Sequence, residues 1–211
     1  MGVTEIKNRG VVAVIRGATP DSIIQIGNAL KEGGVTAIEI TMETPQAAAV
    51  IEAATVYFNQ DVLVGAGTVL DAETTRVAIL AGAKFIFSPT VNKETITMAK
   101  RYGVISVPGA FTPTEILTAY EYGADLIKVF PAGTGGPDYI KNIKGPLPHI
   151  PLMPTGGVDL DNTGDFIKAG AVAVGVGSTL VNTESKLTEE YLLTIKNKAA
   201  RFIEEVKKAR E

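Results

Sequence analysis

The chain has 211 residues, of which 45% are hydrophobic and 20% charged, and its formal net charge is -3. This length and composition are typical of one globular domain with a substantial core, and basic residues form no long run that would suit a nucleic acid or an anionic membrane. Without cysteine, disulfides and thiolate metal sites are excluded, and a single histidine, His149, excludes a multi-histidine metal centre. Composition does not exclude a carboxylate metal site.

The N-terminal ten residues lack the apolar core of a secretory signal, and no apolar stretch is long enough to span a bilayer. The sequence therefore predicts a cytoplasmic protein with no membrane partner and no nucleic-acid partner.

Short apolar runs rich in β-branched or aromatic residues recur along the chain, and each is uninterrupted. Such runs are typical of strands buried on both faces, as in a parallel sheet. The predicted strands are Val11 to Ile15, Ala37 to Ile40, Val62 to Val64, Phe85 to Phe87, Val104 to Val107, Leu126 to Val129, Pro151 to Met153 and Val172 to Val174.

Helical stretches separate these runs. Several begin at capping residues (Thr19-Pro20, Thr44-Pro45, Asn92 and Thr112-Pro113), and many end at a glycine just before the next strand (Gly34, Gly82, Gly103, Gly123 and Gly170). The predicted helices are Pro20 to Lys31, Pro45 to Phe58, Ala72 to Ala81, Lys93 to Arg101, Pro113 to Tyr122, Asp138 to Ile143, Asp159 to Ala169 and Glu189 to Lys208.

One strand–helix unit thus recurs eight times, which predicts a single-domain (β/α)8 TIM barrel over residues 1–211, near the lower end of the size range for that fold. The alternative is an open doubly wound sheet. Eight regular units without a chain reversal favour the closed barrel, and no linker or low-complexity segment divides the chain.

Lys128 interrupts the sixth predicted strand, Leu126 to Val129. A lysine in such a strand either extends its ammonium to water, which is the common outcome, or is retained for chemistry. A desolvated lysine releases its proton more easily, and the neutral amine attacks carbonyl carbons, the first step of Schiff-base catalysis.

Glu39 lies at the end of the second predicted strand, between two isoleucines. A carboxylate in apolar surroundings has a raised pKa unless a cation compensates, and that tuning suits a general acid or base. A structural ion pair with a buried cation, Lys128 included, explains the same pattern, so both interpretations stay open.

Glycine-rich loops follow the last two predicted strands: Thr155-Gly156-Gly157 and Gly175-Val176-Gly177-Ser178. In many (β/α)8 barrels these two loops bind a phosphate on exposed backbone N–H groups. Tight turns that need positive φ are the structural alternative. Gly133-Thr134-Gly135-Gly136, after the sixth strand, adds N–H donors or is only a flexible loop.

Other polar residues follow strands at the same end of the predicted barrel. Arg16 could pair with a carboxylate, although a salt bridge at the rim is the commoner fate of an arginine. Gly65-Ala66-Gly67-Thr68 could bring amides and a hydroxyl to a carboxylate or carbonyl, or be only a turn. Pro89 ends the fourth strand. His149 precedes the seventh strand, which places it at the opposite end, so we interpret it as structural.

The motifs that carry these residues, taken together and in order, resemble the 2-keto-3-deoxy-6-phosphogluconate (KDPG) and 4-hydroxy-2-oxoglutarate aldolases, which are class I aldolases built on a (β/α)8 barrel. The resemblance extends from Val11 to about Val181. The matching motifs are Ile38-Glu39-Ile40-Thr41, Val64-Gly65-Ala66-Gly67-Thr68-Val69, Phe87-Ser88-Pro89, Val107-Pro108-Gly109, Ile127-Lys128-Val129-Phe130-Pro131-Ala132 and Pro154-Thr155-Gly156-Gly157-Val158.

The resemblance implies roles for individual residues. Lys128 would form the Schiff base, so no cofactor beyond this covalent imine is expected, and Glu39 would move protons. Positions around the substrate's pyruvyl end are Arg16, Thr68 and Pro89, and those at its phosphate end are Thr155, Gly156, Gly157, Gly177 and Ser178. The resemblance also implies a homotrimer.

The expected reaction cleaves KDPG to pyruvate and glyceraldehyde 3-phosphate. One position departs from the family: some members carry an arginine four residues after the catalytic glutamate, where this chain has Glu43. This change affects the expected substrate more than the reaction type, so the 6-phosphogalactonate epimer and 4-hydroxy-2-oxoglutarate remain alternatives. A phosphosugar isomerase or epimerase on the same barrel, or a phosphate-ligand binding protein, would share the glycine loops but would not need Lys128.

Overall fold

The computed structural model describes residues 2–211, in which strands and helices alternate along the chain. The strands are β1 (Val11–Ile15), β2 (Ala37–Thr41), β3 (Leu63–Gly67), β4 (Phe85–Phe87), β5 (Ile105–Val107), β6 (Gly109–Ala110), β7 (Ile127–Val129), β8 (Leu152–Pro154) and β9 (Val174–Val176). The helices are α1 (Val3–Arg9), α2 (Pro20–Glu32), α3 (Ala47–Phe58), α4 (Ala72–Leu80), α5 (Lys93–Arg101), α6 (Pro113–Glu121), α7 (Gly136–Lys144), α8 (Thr163–Lys168) and α9 (Glu189–Arg210).

All strand pairs are parallel, and together they close a barrel. One sheet has the order β5-β4-β3-β2-β1-β9 and the other β6-β7-β8. Strands β5 and β6 are two pieces of the fifth barrel strand on either side of Pro108, whose carbonyl accepts a hydrogen bond from the Lys128 N–H at 2.9 Å. A bridge between Thr155 and Gly175 joins β8 to β9. The (β/α)8 barrel is therefore confirmed, and the open doubly wound alternative is wrong.

Capping chemistry sets the start of several helices, as predicted. Thr19 and Thr112 each form a capping box in front of a proline, and the Asn92 side chain accepts from the N–H of Thr95 at 2.8 Å. The predicted start at Thr44-Pro45 is wrong. Helix α3 begins at Ala47, because the Thr44 hydroxyl instead accepts from the Gly17 N–H at 2.9 Å.

The predicted closing glycines are confirmed in conformation: Gly34, Gly82, Gly103, Gly123 and Gly170 all have positive φ. This backbone region suits glycine and ends the preceding helix.

Several predicted boundaries differ from the structure by two to four residues, among them the start of α7 at Gly136 rather than Asp138. The third strand continues past Val64 to Gly67, since a parallel strand tolerates glycine where a neighbouring side chain needs the space. The eighth barrel strand begins at Val174 rather than Val172. Helix α8 begins at Thr163 rather than Asp159, because the Asp159 carboxylate accepts from the N–H groups of the next turn.

The core has two parts. The larger one fills the space between the barrel and the helices, and the smaller one fills the barrel itself. Helix α1 was not predicted, and its Ile6 is fully buried with the interior side chains, at the N-terminal ends of the strands. Within residues 2–211, no helix is long and apolar enough to cross a membrane.

Candidate active site

Lys128 and Glu39 face each other across the barrel interior. Glu39 lies on β2 and Lys128 on β7, the second and sixth of the eight barrel strands, so the two strands stand on opposite sides. The Lys128 Nζ lies 3.8 Å from the Glu39 Oε1, and the side chains are 5% and 0% exposed. The sequence-based possibility that Lys128 reaches open solvent is therefore wrong. Its amine is enclosed beside a carboxylate.

The carboxylate of Glu39 is buried without full compensation. Neither of its oxygens has a hydrogen-bond partner within the described chain. Burial raises the pKa of Glu39, while the positive charges of Lys128 and Arg16 lower it and the negative charge of Glu43 raises it. The resulting pKa lies above the ordinary value, which favours proton uptake and release by this group.

Gly67 makes room for Glu39. A Cβ atom at residue 67 would overlap the carboxylate of Glu39, and one at Gly65 would overlap the ring of Phe85. From the sequence, the segment that contains this glycine pair is expected to bring amides and a hydroxyl to a carboxylate or carbonyl, or to be only a turn. Its observed effect is steric, because both glycines face the barrel interior beside larger side chains on neighbouring strands.

Two aromatic rings flank the lysine. The Lys128 Nζ lies 5.6 Å from the ring centroid of Phe87 and 5.3 Å from that of Phe130. Cations are attracted to the faces of such rings. Neither ring is among the site residues expected from the sequence, although Phe130 stands only two residues after the lysine.

A cavity of about 180 Å³ opens beside Lys128, and we call it the mouth cavity. It brings together most of the predicted site residues from four strand ends. Its lining residues are Val14, Arg16, Lys128, Phe130, Thr155, Gly156, Gly157, Val158, Gly177, Ser178 and Thr179.

The backbone of the loop after β8 lies in direct contact with the backbone of the loop after β7. Gly156 and Gly157 both have positive φ, and the Gly133 N–H donates to the Gly156 carbonyl at 2.7 Å. A Cβ at Gly157 would come within 2.7 Å of the Gly133 Cα. Glycine is therefore required here for two reasons: the positive φ of the turn and the close approach of the two backbones.

The loop after β9 starts a helical turn. The N–H groups of Leu180 and Val181 both donate to the Gly177 carbonyl. The first N–H groups of a helical turn have no partner within it, and they can hold an anion. Ser178 and Thr179 stand at this turn and line the mouth cavity.

Thr155 is buried with an unsatisfied hydroxyl. Its side chain lines the mouth cavity, and Oγ1 has no hydrogen-bond partner in the described chain. Gly175 provides the space, since a Cβ there would overlap Oγ1. A buried hydroxyl without a partner is costly, so this group is available to a bound molecule.

Arg16 extends to the rim and pairs with Glu43. The Arg16 Nη1 donates to the Glu43 Oε1, and both side chains are about half exposed. The two roles expected for Arg16 from the sequence are a partner for a carboxylate and a salt bridge at the rim. The structure contains the salt bridge, and Arg16 also lines the mouth cavity.

Thr68 and Pro89 lie apart from the mouth cavity. Thr68 has φ of 54°, which is strained for a β-branched residue, and such strain clusters at functional sites. Pro89 lines a neighbouring cavity of about 440 Å³, which shares Phe130 with the mouth cavity.

His149 precedes β8, and its ring lies edge-on to Tyr120 with centroids 5.4 Å apart.

Among residues 2–211, no group of three or more histidine, aspartate or glutamate side chains is arranged to hold a metal ion. The site contains an enclosed amine, a carboxylate with a raised pKa and a set of backbone N–H groups, all at one barrel mouth. An amine placed in this way can form an imine with a carbonyl compound, and the adjacent carboxylate can move protons.

A family model described as KDPG and KHG aldolase matches residues 3–196 of the chain. Among curated proteins, 2-dehydro-3-deoxy-6-phosphogalactonate aldolase of Escherichia coli (strain K12) is 37% identical over 171 residues, which is 81% of this chain and 83% of that protein.

Solved structures agree with the family match. One named "Native KDPGal structure" superposes with a TM-score of 0.89 at 33% identity and covers 95% of both chains. Another is KDPG aldolase from Legionella pneumophila with pyruvate captured as a covalent carbinolamine intermediate. Its TM-score is 0.83 at 27% identity, and the match covers 90% of this chain and 92% of that one.

Proposed function

Because the chain belongs to the KDPG and KHG aldolase family, whose members are aldehyde-lyases, we propose that it is a class I aldolase that cleaves KDPG to pyruvate and glyceraldehyde 3-phosphate. The observation that carries the proposal is the Lys128–Glu39 pair, with Nζ 3.8 Å from Oε1 in the enclosed barrel mouth. In the Legionella relative, pyruvate forms a carbinolamine, the addition product that precedes an imine. This supports covalent catalysis without a cofactor in the present chain.

Lys128, as the neutral amine, attacks the C2 carbonyl of the keto acid. The carbinolamine then loses water to give an iminium, which is the electron sink for the next step. Glu39 takes the proton from the C4 hydroxyl, directly or through a water. The C3–C4 bond breaks, its electrons pass to the iminium to form an enamine, and glyceraldehyde 3-phosphate leaves. Glu39 returns a proton to C3, and hydrolysis releases pyruvate.

Binding groups hold the substrate on either side of Lys128. Arg16 and Thr68 bind the carboxylate with Pro89 nearby, and the loops that contain Gly156, Gly157, Gly177 and Ser178 bind the phosphate, in the manner of helix-terminal N–H sites. The Thr155 hydroxyl, unpartnered in the mouth cavity, supports contact with a substrate hydroxyl. Fixing both ends of the substrate aligns C2 with the amine.

A second candidate substrate is the 6-phosphogalactonate epimer, favoured by the name of the Escherichia coli relative. The two substrates differ in configuration at C4, the carbon whose hydroxyl Glu39 deprotonates. Steady-state kinetics on KDPG, its galactonate epimer and 4-hydroxy-2-oxoglutarate will rank them. We expect the highest kcat/KM with KDPG. If kcat/KM for another of these substrates is more than tenfold higher, that substrate replaces KDPG in the proposal.

Imine chemistry is tested with borohydride. Incubation with pyruvate and borohydride should add one reduced pyruvyl group to the intact mass of the parent protein, and no addition should occur without pyruvate. Proton exchange on a phosphosugar with no such adduct would instead support an isomerase or epimerase. Retained phosphate-ligand binding without turnover or adduct would support a binding protein.

The proposal includes a homotrimer acting in the cytoplasm, in Entner-Doudoroff carbohydrate metabolism. Exposed apolar side chains on and before neighbouring helices α3 and α4 support self-association, among them Val56, Leu70, Val77 and Leu80. Light scattering during size-exclusion chromatography gives the mass in solution. A monomeric mass at micromolar concentration would remove the trimer from the proposal.

A further inference from the structure

We propose that Glu43 is a positioning residue, which holds the Arg16 guanidinium over the mouth cavity so that its remaining N–H groups can receive the substrate's carboxylate. This inference rests on the proposed function, because it assigns a second residue to the binding of the keto acid. The observation that carries it is the hydrogen bond from Arg16 Nη1 to Glu43 Oε1 beside a cavity that Arg16 itself lines.

The backbone on both sides of this pair is fixed by hydrogen bonds between loops. The Thr183 hydroxyl donates to the Arg16 carbonyl, and the Gly17 N–H donates to the Thr44 Oγ1 at 2.9 Å. These contacts join the segments after β1, β2 and β9. These backbone hydrogen bonds do not hold the long side chain of Arg16, and Glu43 is the group that contacts its guanidinium.

The pair uses only one guanidinium nitrogen. Arginine has five N–H donors in a planar fork, so a single bond through Nη1 leaves Nε and Nη2 free for a second carboxylate. An ion pair that is about half exposed contributes little to folding stability. Its effect should therefore be seen in binding rather than in unfolding.

Glu43 also acts at a distance on Glu39. The charged groups that face Glu39 are Lys128 from β7, Arg16 from the end of β1 and Glu43 from the loop after β2. Of these, the negative charge of Glu43 raises the pKa of Glu39. Removal of that charge should lower the pKa of Glu39 and move the acidic limb of the kcat profile to lower pH.

The test measures borohydride trapping of pyruvate as a function of pyruvate concentration. Glu43→Ala should raise the half-saturating pyruvate concentration about 5- to 20-fold, whereas Glu43→Gln, which keeps an acceptor oxygen, should raise it no more than about 3-fold. The maximal trapping rate should change little. Glu184→Ala is the matched control, since it removes the same charge from an exposed position in the segment after β9 without an Arg16 contact among the described residues.

Arg16 provides the decisive comparison. In an Arg16→Ala background, Glu43→Ala should add no further loss of pyruvate affinity, because the two act as one unit. An unchanged or lower half-saturating concentration in Glu43→Ala, or full additivity in the double variant, would overturn the inference. So would an acidic limb in Glu43→Gln that stays in place or moves to higher pH.

The failure of the proposed function has a separate signature. If the parent protein forms no pyruvyl adduct, the aldolase assignment and the positioning role are both wrong. If the parent forms the adduct and the Glu43→Ala variant behaves like Glu184→Ala, only the positioning role is wrong.

Discussion

The barrel interior contains two layers that differ in what their side chains do. Toward the N-terminal ends of the strands, Ile6, Phe85 and Met153 are fully buried and apolar. Toward the C-terminal ends, Glu39, Lys128 and Thr155 are also buried, but Glu39 and Thr155 leave polar atoms without partners. We call the layer at the N-terminal ends the lower layer and the one at the C-terminal ends the upper layer. We infer that the lower layer supplies stability, while the upper layer retains polar groups whose hydrogen bonds a substrate would complete.

The largest expected effect is in the upper layer. Lys128→Met should reduce aldol cleavage by at least about 1,000-fold, because the proposed nucleophile is lost and no second route to the imine remains. Lys84→Met is the matched control, since Lys84 is exposed just before β4. Cleavage by the Lys128 variant within a factor of ten of the parent would dismiss covalent catalysis at this residue.

Glu39→Gln should lower kcat by about 100- to 10,000-fold, the usual range for loss of a general acid–base group. Pyruvate trapping on Lys128 should remain measurable, since the amine is still present. Both rates are read from the same preparation, with Glu184→Gln as the control for a changed glutamate. Undiminished turnover in Glu39→Gln would remove its proton-transfer role.

The lower layer should respond in the opposite manner. Phe85→Ala leaves a cavity in the barrel interior and should destabilise the fold by about 3–5 kcal/mol in urea unfolding. Its kcat per folded molecule should change far less than in the Lys128 and Glu39 variants. A large loss of kcat with little loss of stability would contradict the division into layers.

Neutralising the buried pair should stabilise the protein. Glu39→Leu combined with Lys128→Met removes two desolvated charges without leaving an unpaired polar group, and should raise the free energy of unfolding by about 1–4 kcal/mol. The pKa of Glu39 is raised in the fold, so its protonation contributes stability that is complete below the unfolded value and is lost as pH rises through the folded pKa. The double variant should lose this pH dependence, and a drop in its stability at neutral pH would oppose the prediction.

The smallest expected effect is at Thr155. Thr155→Val keeps the shape but removes the unpartnered hydroxyl, so kcat/KM should fall about tenfold through loss of one hydrogen bond to substrate. Stability should stay equal or rise. A fall in stability with unchanged kinetics would indicate that the hydroxyl serves the fold.

Much of the fold could be predicted because most strands are short apolar runs and several helices carry their own end signals. The capping boxes at Thr19 and Thr112 and the positive-φ glycines after the helices are local chemistry, readable from neighbouring residues. The start at Thr44 was predicted wrongly because its hydroxyl is used by Gly17, 27 residues away. Such a contact exists only after the strands have been brought together.

The candidate site shows the same limit. The positions of Lys128 on the sixth predicted strand and Glu39 at the end of the second predicted that they share one barrel mouth, and the structure places them together. The steric role of Gly67 and the pairing of Arg16 with Glu43 depend on which strands are neighbours and which loops meet. Spacing along the chain contains no direct signal for either.

The most direct measurement of the central claim is peptide mapping of the borohydride-trapped protein. Trypsin does not cleave after a modified lysine, so an adduct on Lys128 should convert the cleavage at that position into one longer pyruvyl-modified peptide, spanning residues 102–141. We predict that the amount of this peptide rises in proportion to the amount of protein that carries the trapped pyruvyl group. Normal cleavage after Lys128 with the pyruvyl group on another lysine would contradict the account.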